Sequence, residues 1–350
     1  MKSTIAGLHI AGIATVLPEK VIKTDDYAAI FGEKKVRRIK RSTGVEAVHV
    51  VRPGQTASDL CVAAAEHLFE EIKIDRSTID AIVFVSISPD YRAPGTAGIL
   101  QDRLGLSHDV AAFDLTYGCS GYIYGIYQAA MLIQSGCRKV LVCAGDTQST
   151  LVNEKDRSMK MLVGDSGTAT LVEQGDDTMH FYFQTLGAGY RDLIIEGGAC
   201  RMPSSEESRR EIEDEDGNIR RKDDLFMDGM GVMKFSLTEV PKAMAAMYET
   251  LGCTKDDVDL FAYHQPNKLI LDYLSNAMDV PTEKMPVGLQ QTGNTAAASV
   301  PTLLSTLQER GFDFTKAEHI IASGFGIGLS IGAVDLHLNH TKVFAPVIVE

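Results

Sequence analysis

The stretch FDLTYGCSGYIYGIYQAA, residues 113–130, decides how the rest of the chain is organised. A short apolar run leads to a turn at Tyr117–Gly118 and then to Cys119. Small and apolar residues follow, with no charged side chain before Arg138. This pattern predicts a buried strand, a tight turn and a buried helix, with Cys119 at or just inside the first turn of that helix.

Cys119 is a candidate nucleophile. A helix start carries unpaired backbone N–H groups and a partial positive charge, which favour the thiolate, the form of cysteine that attacks carbonyl carbon. Gly118 and Gly121 are expected to let a substrate approach the sulfur without obstruction by a Cβ atom. A small apolar core cysteine is the alternative interpretation, and the local pattern alone leaves both open.

The composition excludes several classes of protein. The chain has 350 residues, of which 45% are hydrophobic and 23% charged, enough for one large domain or two halves of ordinary size. A net charge of −13 argues against nucleic acid as a partner. Six cysteines without a C-x-x-C pair indicate neither a metal site nor a disulfide framework, and their scattered apolar settings fit a reducing cytoplasm.

No segment is predicted to enter a membrane, because no apolar stretch is long and unbroken enough to span one. The apolar run from Ile5 to Leu17 could be mistaken for a secretion signal. His9 interrupts this run, and Pro18 ends it without a small-residue cleavage pattern. We therefore expect a buried strand there.

One segment concentrates positive charge in this acidic chain. Residues 32–44 read GEKKVRRIKRSTG, and six of them are basic: Lys34, Lys35, Arg37, Arg38, Lys40 and Arg41. The segment is either a solvated helix face or a landing site for a phosphate or an acidic protein.

Strand and helix patterns alternate along the chain. Continuous apolar runs at 81–86 and 139–144 have strand length, and residues 56–72 and 96–104 have helical patterns. Such alternation predicts an α/β protein whose sheets are covered on both faces.

Two pairs of segments are similar at nearly one spacing. Residues 78–84 resemble 257–263, and 138–142 resemble 318–322, at offsets of 179 and 180 residues. The spacing indicates a duplicated α/β half, with the division near residue 175.

Residues 204–224 (SSEESRREIEDEDGNIRRKDD) hold nine acidic and five basic residues and are expected to be a surface insertion without chemistry. The helix that follows, predicted from Met227 to Tyr248, is expected to kink or divide at Pro241.

Two polar residues of the second half are candidates for chemistry. His264 follows a buried strand in LFAYHQPN, where α/β proteins collect reactive groups, although a structural histidine is the alternative. Asn294 stands in a Gly293–Asn294 turn, where a simple turn or cap role is the alternative. The glycine-rich residues 323–333 (SGFGIGLSIGA) lack the spacing of a dinucleotide-binding loop.

Taken in order, these stretches resemble the β-ketoacyl-acyl carrier protein synthase III family of the thiolase superfamily along nearly the whole chain. The motifs that carry the resemblance are the cysteine turn, Gly164-Asp165-Ser166-Gly167, His264-Gln265-Pro266-Asn267, Gly293-Asn294-Thr295 and Phe325-Gly326-Ile327-Gly328. The resemblance implies a thiolase-like, five-layered αβαβα fold of two duplicated halves, usually assembled as a homodimer. The nucleophile would lie in residues 1–175 and the His/Asn pair in residues 176–350.

The resemblance also implies a reaction, the decarboxylating Claisen condensation of an acyl thioester with malonyl-acyl carrier protein. Cys119 would hold the acyl group, and the backbone N–H groups of Cys119 and Ile327 would form an oxyanion hole. His264 and Asn294 would donate hydrogen bonds to the malonyl thioester carbonyl. No cofactor is expected beyond the coenzyme A or carrier-protein thioesters that serve as substrates, and the implied partner is acyl carrier protein.

Several positions depart from the family pattern. The family often stacks the coenzyme A adenine between a tryptophan and an arginine, but this chain has no tryptophan; Arg38 takes that position and Arg157 keeps the arginine. The priming thioester is therefore expected on coenzyme A or on a carrier protein met by the basic segment. Ala93 replaces a bulky residue that bounds the acyl pocket in relatives, which predicts an acyl group larger than acetyl or differently shaped, and a specialised pathway.

Three rival functions remain. A hydroxymethylglutaryl-type synthase needs a carboxylate just after residues 81–86, where only Asp90 is near. An acyltransferase or hydrolase would release the acyl group from Cys119 to another nucleophile. A non-catalytic partner of a condensing heterodimer is disfavoured by the intact Cys119, His264 and Asn294.

Overall fold

The computed structural model describes residues 1–350. Its two longest strands, β1 (Lys2–Pro18) and β7 (Asp165–Thr185), pair antiparallel within the large sheet. The other strands are β2 Val21–Lys23, β3 Ala47–His49, β4 Ala81–Val85, β5 Ala111–Leu115, β6 Lys139–Thr147, β8 Leu193–Ile194, β9 Ile212–Glu213, β10 Ile219–Arg220, β11 Phe226–Met227, β12 Leu260–Tyr263, β13 Ile320–Gly326, β14 Ser330–Leu336, β15 Lys342–Val343 and β16 Val347–Val349. The helices are α1 Ala28–Phe31, α2 Glu33–Thr43, α3 Ala57–Ile72, α4 Thr96–Arg103, α5 Gly121–Gln134, α6 Arg157–Lys160, α7 Gly229–Leu251, α8 Lys268–Ala277 and α9 Ser299–Glu309.

The sheet repeats one local arrangement. Its order is β12-β13-β14-β7-β6-β4-β5, with β1 paired to β7. The similar segments found in the sequence lead into β4 and β6 in the first half and into β12 and β13 in the second. Each pair is parallel, and each is followed by an antiparallel strand, β7 or β14. Residue 175 lies inside β7, and the division of the chain there stays a prediction.

Three separate apolar cores define five layers. The central core packs α5 and α9 between strands of both halves, including β4, β6, β12 and β13. One outer core covers the first half with α3 and α4, and the other covers the second half with α7 and α8. Side chains alternate between these cores, because Val83 and Val85 of β4 enter the central core whereas Ile82 and Phe84 enter an outer one. The predicted αβαβα fold is confirmed.

Two local expectations had mixed outcomes: the helix after the insertion is not divided at Pro241, and a kink there stays a prediction. Helix α7 continues through Pro241, because its buried residues Val240, Ala243 and Met244 pack into the outer core and offset the lost backbone hydrogen bond. Residues 204–224 form the mostly exposed insertion that was expected, and part of it is ordered as the β9–β10 hairpin. Arg220 fixes this hairpin through ion pairs to Asp156 and Asp214.

None of the helices combines the length and the apolar character that crossing a lipid bilayer requires.

Candidate active site

Cys119 lies in the connection between β5 and α5. The Gly121 N–H donates to the Gly118 carbonyl at 2.7 Å, and Ser120 is the N-cap residue of α5. Cys119 therefore precedes the helix by two residues instead of standing in its first turn. Its own backbone N–H is free of helical hydrogen bonds and remains available to a ligand.

The glycine-rich end of β13 lies against Cys119. A Cβ atom at Gly326 would lie 2.7 Å from the sulfur, and one at Gly324 would lie 2.4 Å from the Cys119 carbonyl oxygen. Only glycine allows this close approach. The expectation for Gly118 and Gly121 was wrong, since Cβ atoms there would meet the side chains of Ile327 and Val85, respectively, at 2.8 and 2.6 Å. These two glycines serve packing.

The surroundings of Cys119 oppose ionisation of its thiol and raise its pKa. Burial, with a smaller contribution from the charge of Asp146, raises the pKa of the thiol to about 11. The backbone N–H groups of Ile327 and of Cys119 itself interact with the sulfur and lower the pKa, but not enough to cancel burial. Burial therefore opposes the expected bias toward the thiolate, and the backbone N–H groups of Cys119 and Ile327 both lie near the sulfur.

His264 follows β12 and is held by its backbone N–H, which donates to the Ser323 carbonyl at 2.7 Å. Burial lowers the pKa of its imidazole to about 3, so the ring is neutral. Its Nδ1 atom is buried without a hydrogen-bond partner. Phe325 packs edge-on against the ring, with the centroids 5.6 Å apart.

The orientation of the Asn294 amide is fixed by its surroundings. Its Oδ1 accepts the Ala296 N–H at 3.0 Å. Its backbone carbonyl accepts the Gly164 N–H at 3.0 Å and Gln148 Nε2 at 2.7 Å. Nδ2 is therefore the end of the amide that is left to donate.

One cavity of about 60 Å³ brings Cys119, His264 and Asn294 together. Its apolar lining consists of Leu162, Leu193, Met227, Val232, Ile270 and Phe325. No aspartate or glutamate lines it. Asp90, the carboxylate that a hydroxymethylglutaryl-type synthase would need, lies outside it and accepts the Ser58 hydroxyl at 2.7 Å.

The predicted donor-binding residues lie outside the cavity. Arg38 is exposed on α2. Arg157 opens α6, and the turn of the β9–β10 hairpin at Gly217 lies against its guanidinium.

The sequence analysis did not single out Asp146, which ends the apolar part of β6 and is completely buried. Its carboxylate accepts the hydroxyls of Ser86 and Ser88 and the backbone N–H groups of Ile87 and Ala297, at 2.8 to 3.0 Å. Burial raises its pKa to about 6. An acidic residue directly after an apolar strand, as in KVLVCAGD, was the available signal.

Comparison with known proteins identifies the family. The chain is 32% identical to a Campylobacter jejuni protein named putative 3-oxoacyl-[acyl-carrier-protein] synthase 3, over 96% of each chain. The chain belongs to the 3-oxoacyl-[acyl-carrier-protein] synthase III family. Family models described as 3-oxoacyl-[acyl-carrier-protein (ACP)] synthase III and its C terminal match residues 113–188 and 248–338. The expected family is confirmed.

Further members of this family are also similar. A β-ketoacyl-[acyl-carrier-protein] synthase III from Caldanaerobacter subterraneus is 31% identical, over 92% of this chain and 95% of that protein. The crystal structure of a 3-oxoacyl-(acyl-carrier protein) synthase from Burkholderia xenovorans superposes with a TM-score of 0.92 at 32% identity, covering 100% of this chain and 99% of that one. The synthase III from Pseudomonas aeruginosa gives 0.80 at 26% identity, covering 98% and 100%.

Proposed function

We propose that this chain catalyses the decarboxylating Claisen condensation of an acyl thioester with malonyl-acyl carrier protein, giving a 3-oxoacyl thioester. The observation that carries the proposal is the single cavity shared by a buried thiol, a neutral imidazole and a fixed amide, with no carboxylate in its lining. The names of the relatives, which are synthases acting with acyl carrier protein, support the same reaction.

The first half-reaction transfers the acyl group to Cys119. The sulfur bonds to the thioester carbonyl carbon, the bond to the departing sulfur breaks, and the proton of Cys119 ends on the departing thiol. The carbonyl oxygen gains negative charge as the sulfur adds. The backbone N–H groups of Cys119 and Ile327, which face the sulfur, would stabilise that charge.

The second half-reaction forms the carbon–carbon bond. Carbon dioxide leaves the malonyl thioester, and the electron pair of the broken bond gives an enolate. The enolate carbon attacks the acyl group and releases Cys119 as a thiolate, which takes a proton from solvent. His264 and Asn294 Nδ2 would donate to the enolate oxygen, and each such donor is typically worth about 3 kcal/mol. A neutral imidazole suits this role because it keeps its donor proton at the pH of the cell.

We further propose that an acyl carrier protein delivers the malonyl group and that the basic face of α2 guides it. Lys34, Lys35, Arg38 and Arg41 are exposed or half-buried there and have no ion pair. Carrier proteins are generally acidic, so this face would offset the repulsion from a chain of net charge −13. A coenzyme A primer is less favoured than a carrier-borne one, because the chain lacks tryptophan and the β9–β10 hairpin lies against Arg157.

A homodimer in the cytoplasm is proposed as the working form. Strand β5 pairs only with β4, which leaves its other edge open. Beside that edge lies an apolar groove of about 460 Å³, lined by Leu115, Tyr117, Tyr124, Tyr127, Met131 and Phe183 among others. An open edge with an apolar border is suited to pairing with a second copy.

The cytoplasmic location is supported by the cysteines. All six cysteines are free, which fits a reducing compartment.

Intact-mass measurement after incubation with a panel of acyl thioesters, followed by release of carbon dioxide from malonyl-acyl carrier protein, tests the reaction. The wild type should gain one acyl group, Cys119→Ser should gain none, and His264→Ala should still be acylated but decarboxylate at least about 100-fold more slowly. Cys137→Ser, a half-buried cysteine outside the cavity, is the matched control.

Other outcomes of this experiment would overturn the proposal. Acyl transfer to another nucleophile without release of carbon dioxide would indicate an acyltransferase or hydrolase. An unacylated wild type with every thioester tested would indicate a non-catalytic partner.

A further inference from the structure

Two buried hydroxyls join the nucleophile segment to the loop that carries the second oxyanion donor. Ser120 follows Cys119 directly, and Ser330 is the first residue of β14. Their Oγ atoms are 2.8 Å apart, although the residues are 210 positions apart in the chain. They are 0% and 1% exposed, and neither lines the catalytic cavity.

The direction of these hydrogen bonds follows from the number of protons. Ser330 Oγ also lies 2.9 Å from the Ile327 carbonyl oxygen, which accepts its proton. A hydroxyl has one proton to donate. Because Ser330 donates its only hydroxyl proton to the Ile327 carbonyl, Ser120 must be the donor in the Ser120–Ser330 pair. The polar chain therefore runs from Ser120 through Ser330 to the Ile327 carbonyl.

This series of hydrogen bonds restrains the Ile327 end of a tight turn. Residues 327–329 connect β13 to β14, and Gly326 pairs with Ser330 at the base of the turn. Leu329 anchors the far end of the turn in an outer apolar core, whereas Gly328 is exposed and Ile327 only half-buried. Packing therefore holds the Ile327 end less firmly than the Leu329 end. The Ile327 carbonyl is held by Ser330, and the Ile327 N–H faces the sulfur of Cys119. The two serines thus connect the segments that carry the two oxyanion donors.

We propose that Ser120 and Ser330 are positioning residues that fix the Ile327 N–H relative to Cys119 and so set the geometry of the oxyanion hole. The inference rests on the proposed function, since it concerns an acyl group held on Cys119. Neither serine touches the substrate. Loss of the Ser330 hydroxyl removes the hydrogen bond to the Ile327 carbonyl, and loss of the Ser120 hydroxyl removes the donor that orients Ser330. Either change lets the turn at Ile327 shift.

The test combines kinetics with a spectroscopic readout that fold stability alone does not move. Wild type, Ser330→Ala and Ser120→Ala are acylated with a thioester carrying carbon-13 at the carbonyl, and the carbonyl stretch of the acyl-enzyme is recorded by infrared difference spectroscopy. Both variants should show the stretch at higher wavenumber, because hydrogen bonds to the carbonyl oxygen weaken. Acylation should slow about 10- to 100-fold, while decarboxylation of malonyl-acyl carrier protein, measured separately with enzyme that is already acylated, stays within about twofold of wild type.

Two further variants serve as controls. Ser330→Thr keeps a hydroxyl and should restore both the frequency and the rate. Ser305→Ala removes a buried hydroxyl pair of the same length, 2.8 Å to Thr15, away from the cavity, and should leave both unchanged. Melting temperatures of all variants show which of them fold.

The possible failures are distinguishable. An unchanged carbonyl frequency and rate in folded Ser330→Ala, with a normally acylated wild type, would overturn the inference and leave the proposed function standing. Equal losses in acylation and decarboxylation would also overturn it, because they indicate a general structural role. A wild type that takes no acyl group would overturn the proposed function itself.

Discussion

At Cys119, the cost of burial outweighs the field of the helix start. Raising the pKa of the thiol from 9.0 to about 11 corresponds to roughly 3 kcal/mol against the thiolate. A helix start typically supplies only about 0.3–1 kcal/mol in favour of an anion, and Cys119 stands two residues ahead of α5. In the proposed reaction the proton would therefore leave as the sulfur attacks, beside the backbone N–H groups of Cys119 and Ile327.

This balance predicts how Cys119 reacts with pH. Because the folded-state pKa is near 11, the thiolate fraction should rise about tenfold per pH unit from pH 7 to pH 9. The rate of iodoacetamide alkylation at Cys119, measured by peptide mapping, should rise in the same proportion without a plateau. The exposed Cys200, followed in the same digests, controls for reagent decay. A plateau near pH 7 would show instead that the thiolate is stabilised in the resting enzyme.

Among the elements, α2 has the strongest uncompensated charge. Lys40 is paired to Asp25 at 2.7 Å and Arg37 to Glu33 at 3.9 Å, which leaves the rest of the basic segment free for a partner. The end of α2 reaches α8, because a Cβ atom at Gly44 would lie 2.8 Å from the Lys268 side chain. Asn267, the residue before α8, lines the cavity, so the C-terminal end of α2 contacts a helix that begins beside the cavity.

Reversing charge on α2 should therefore weaken carrier binding without changing the chemistry. The double variant Arg38→Glu, Arg41→Glu should raise KM for malonyl-acyl carrier protein about tenfold, since each exposed charge contributes up to about 1 kcal/mol. Its kcat should stay unchanged, and so should its rate with a short thioester that has no carrier. Lys73→Glu with Lys342→Glu, exposed residues beyond α3 and on β15, makes the same change of net charge elsewhere. Equal KM values in both double variants would show that the basic residues of α2 do not bind the carrier protein and are only a solvent-exposed helix face.

Helices and strands that depend mainly on their own local sequence were predictable. The unbroken apolar runs of β4 and β6 appear where expected, and Thr56 caps α3 in a capping box with Asp59. The sequence did not predict that residues 212–220 form the β9–β10 hairpin, because the hairpin is held by an ion pair from Arg220 to Asp156, 64 residues earlier in the chain. The local sequence of a charge-rich segment does not indicate which distant residue will pair with it.

The site shows the same limit. Cys119, His264 and Asn294 were named because their motifs resemble one family, but their burial comes from the packed molecule. Desolvation sets the high pKa of Cys119 and the low pKa of His264, and no local pattern reports it. Asp146 and the Ser120–Ser330 pair escaped notice because their partners come from distant parts of the chain.

At the scale of the whole molecule, the site needs both halves of the chain. The turn before α5 supplies Cys119, the end of β12 supplies His264, and the segment before α9 supplies Asn294. Helices α5 and α9 share the central apolar core, which fixes these segments relative to one another. A change that loosens the central layer should therefore disturb the alignment of the three side chains before it unfolds either outer layer.

The open edge of β5 predicts how two molecules associate. Ala112 is exposed on this strand, and the strand leads directly into Tyr117 and Cys119, so a partner at the edge would also steady the nucleophile segment.

Sedimentation of the wild type and of two variants tests this dimer. The wild type should sediment at twice the 38.0 kDa chain mass. Ala112→Glu should shift it to monomer and slow acylation, because a buried unpaired charge opposes pairing of the two edges. Ala245→Glu, an exposed alanine of α7, is the matched control and should remain dimeric. A monomeric wild type at micromolar concentration would refute the dimer, and a dimeric Ala112→Glu variant would place the interface on another face.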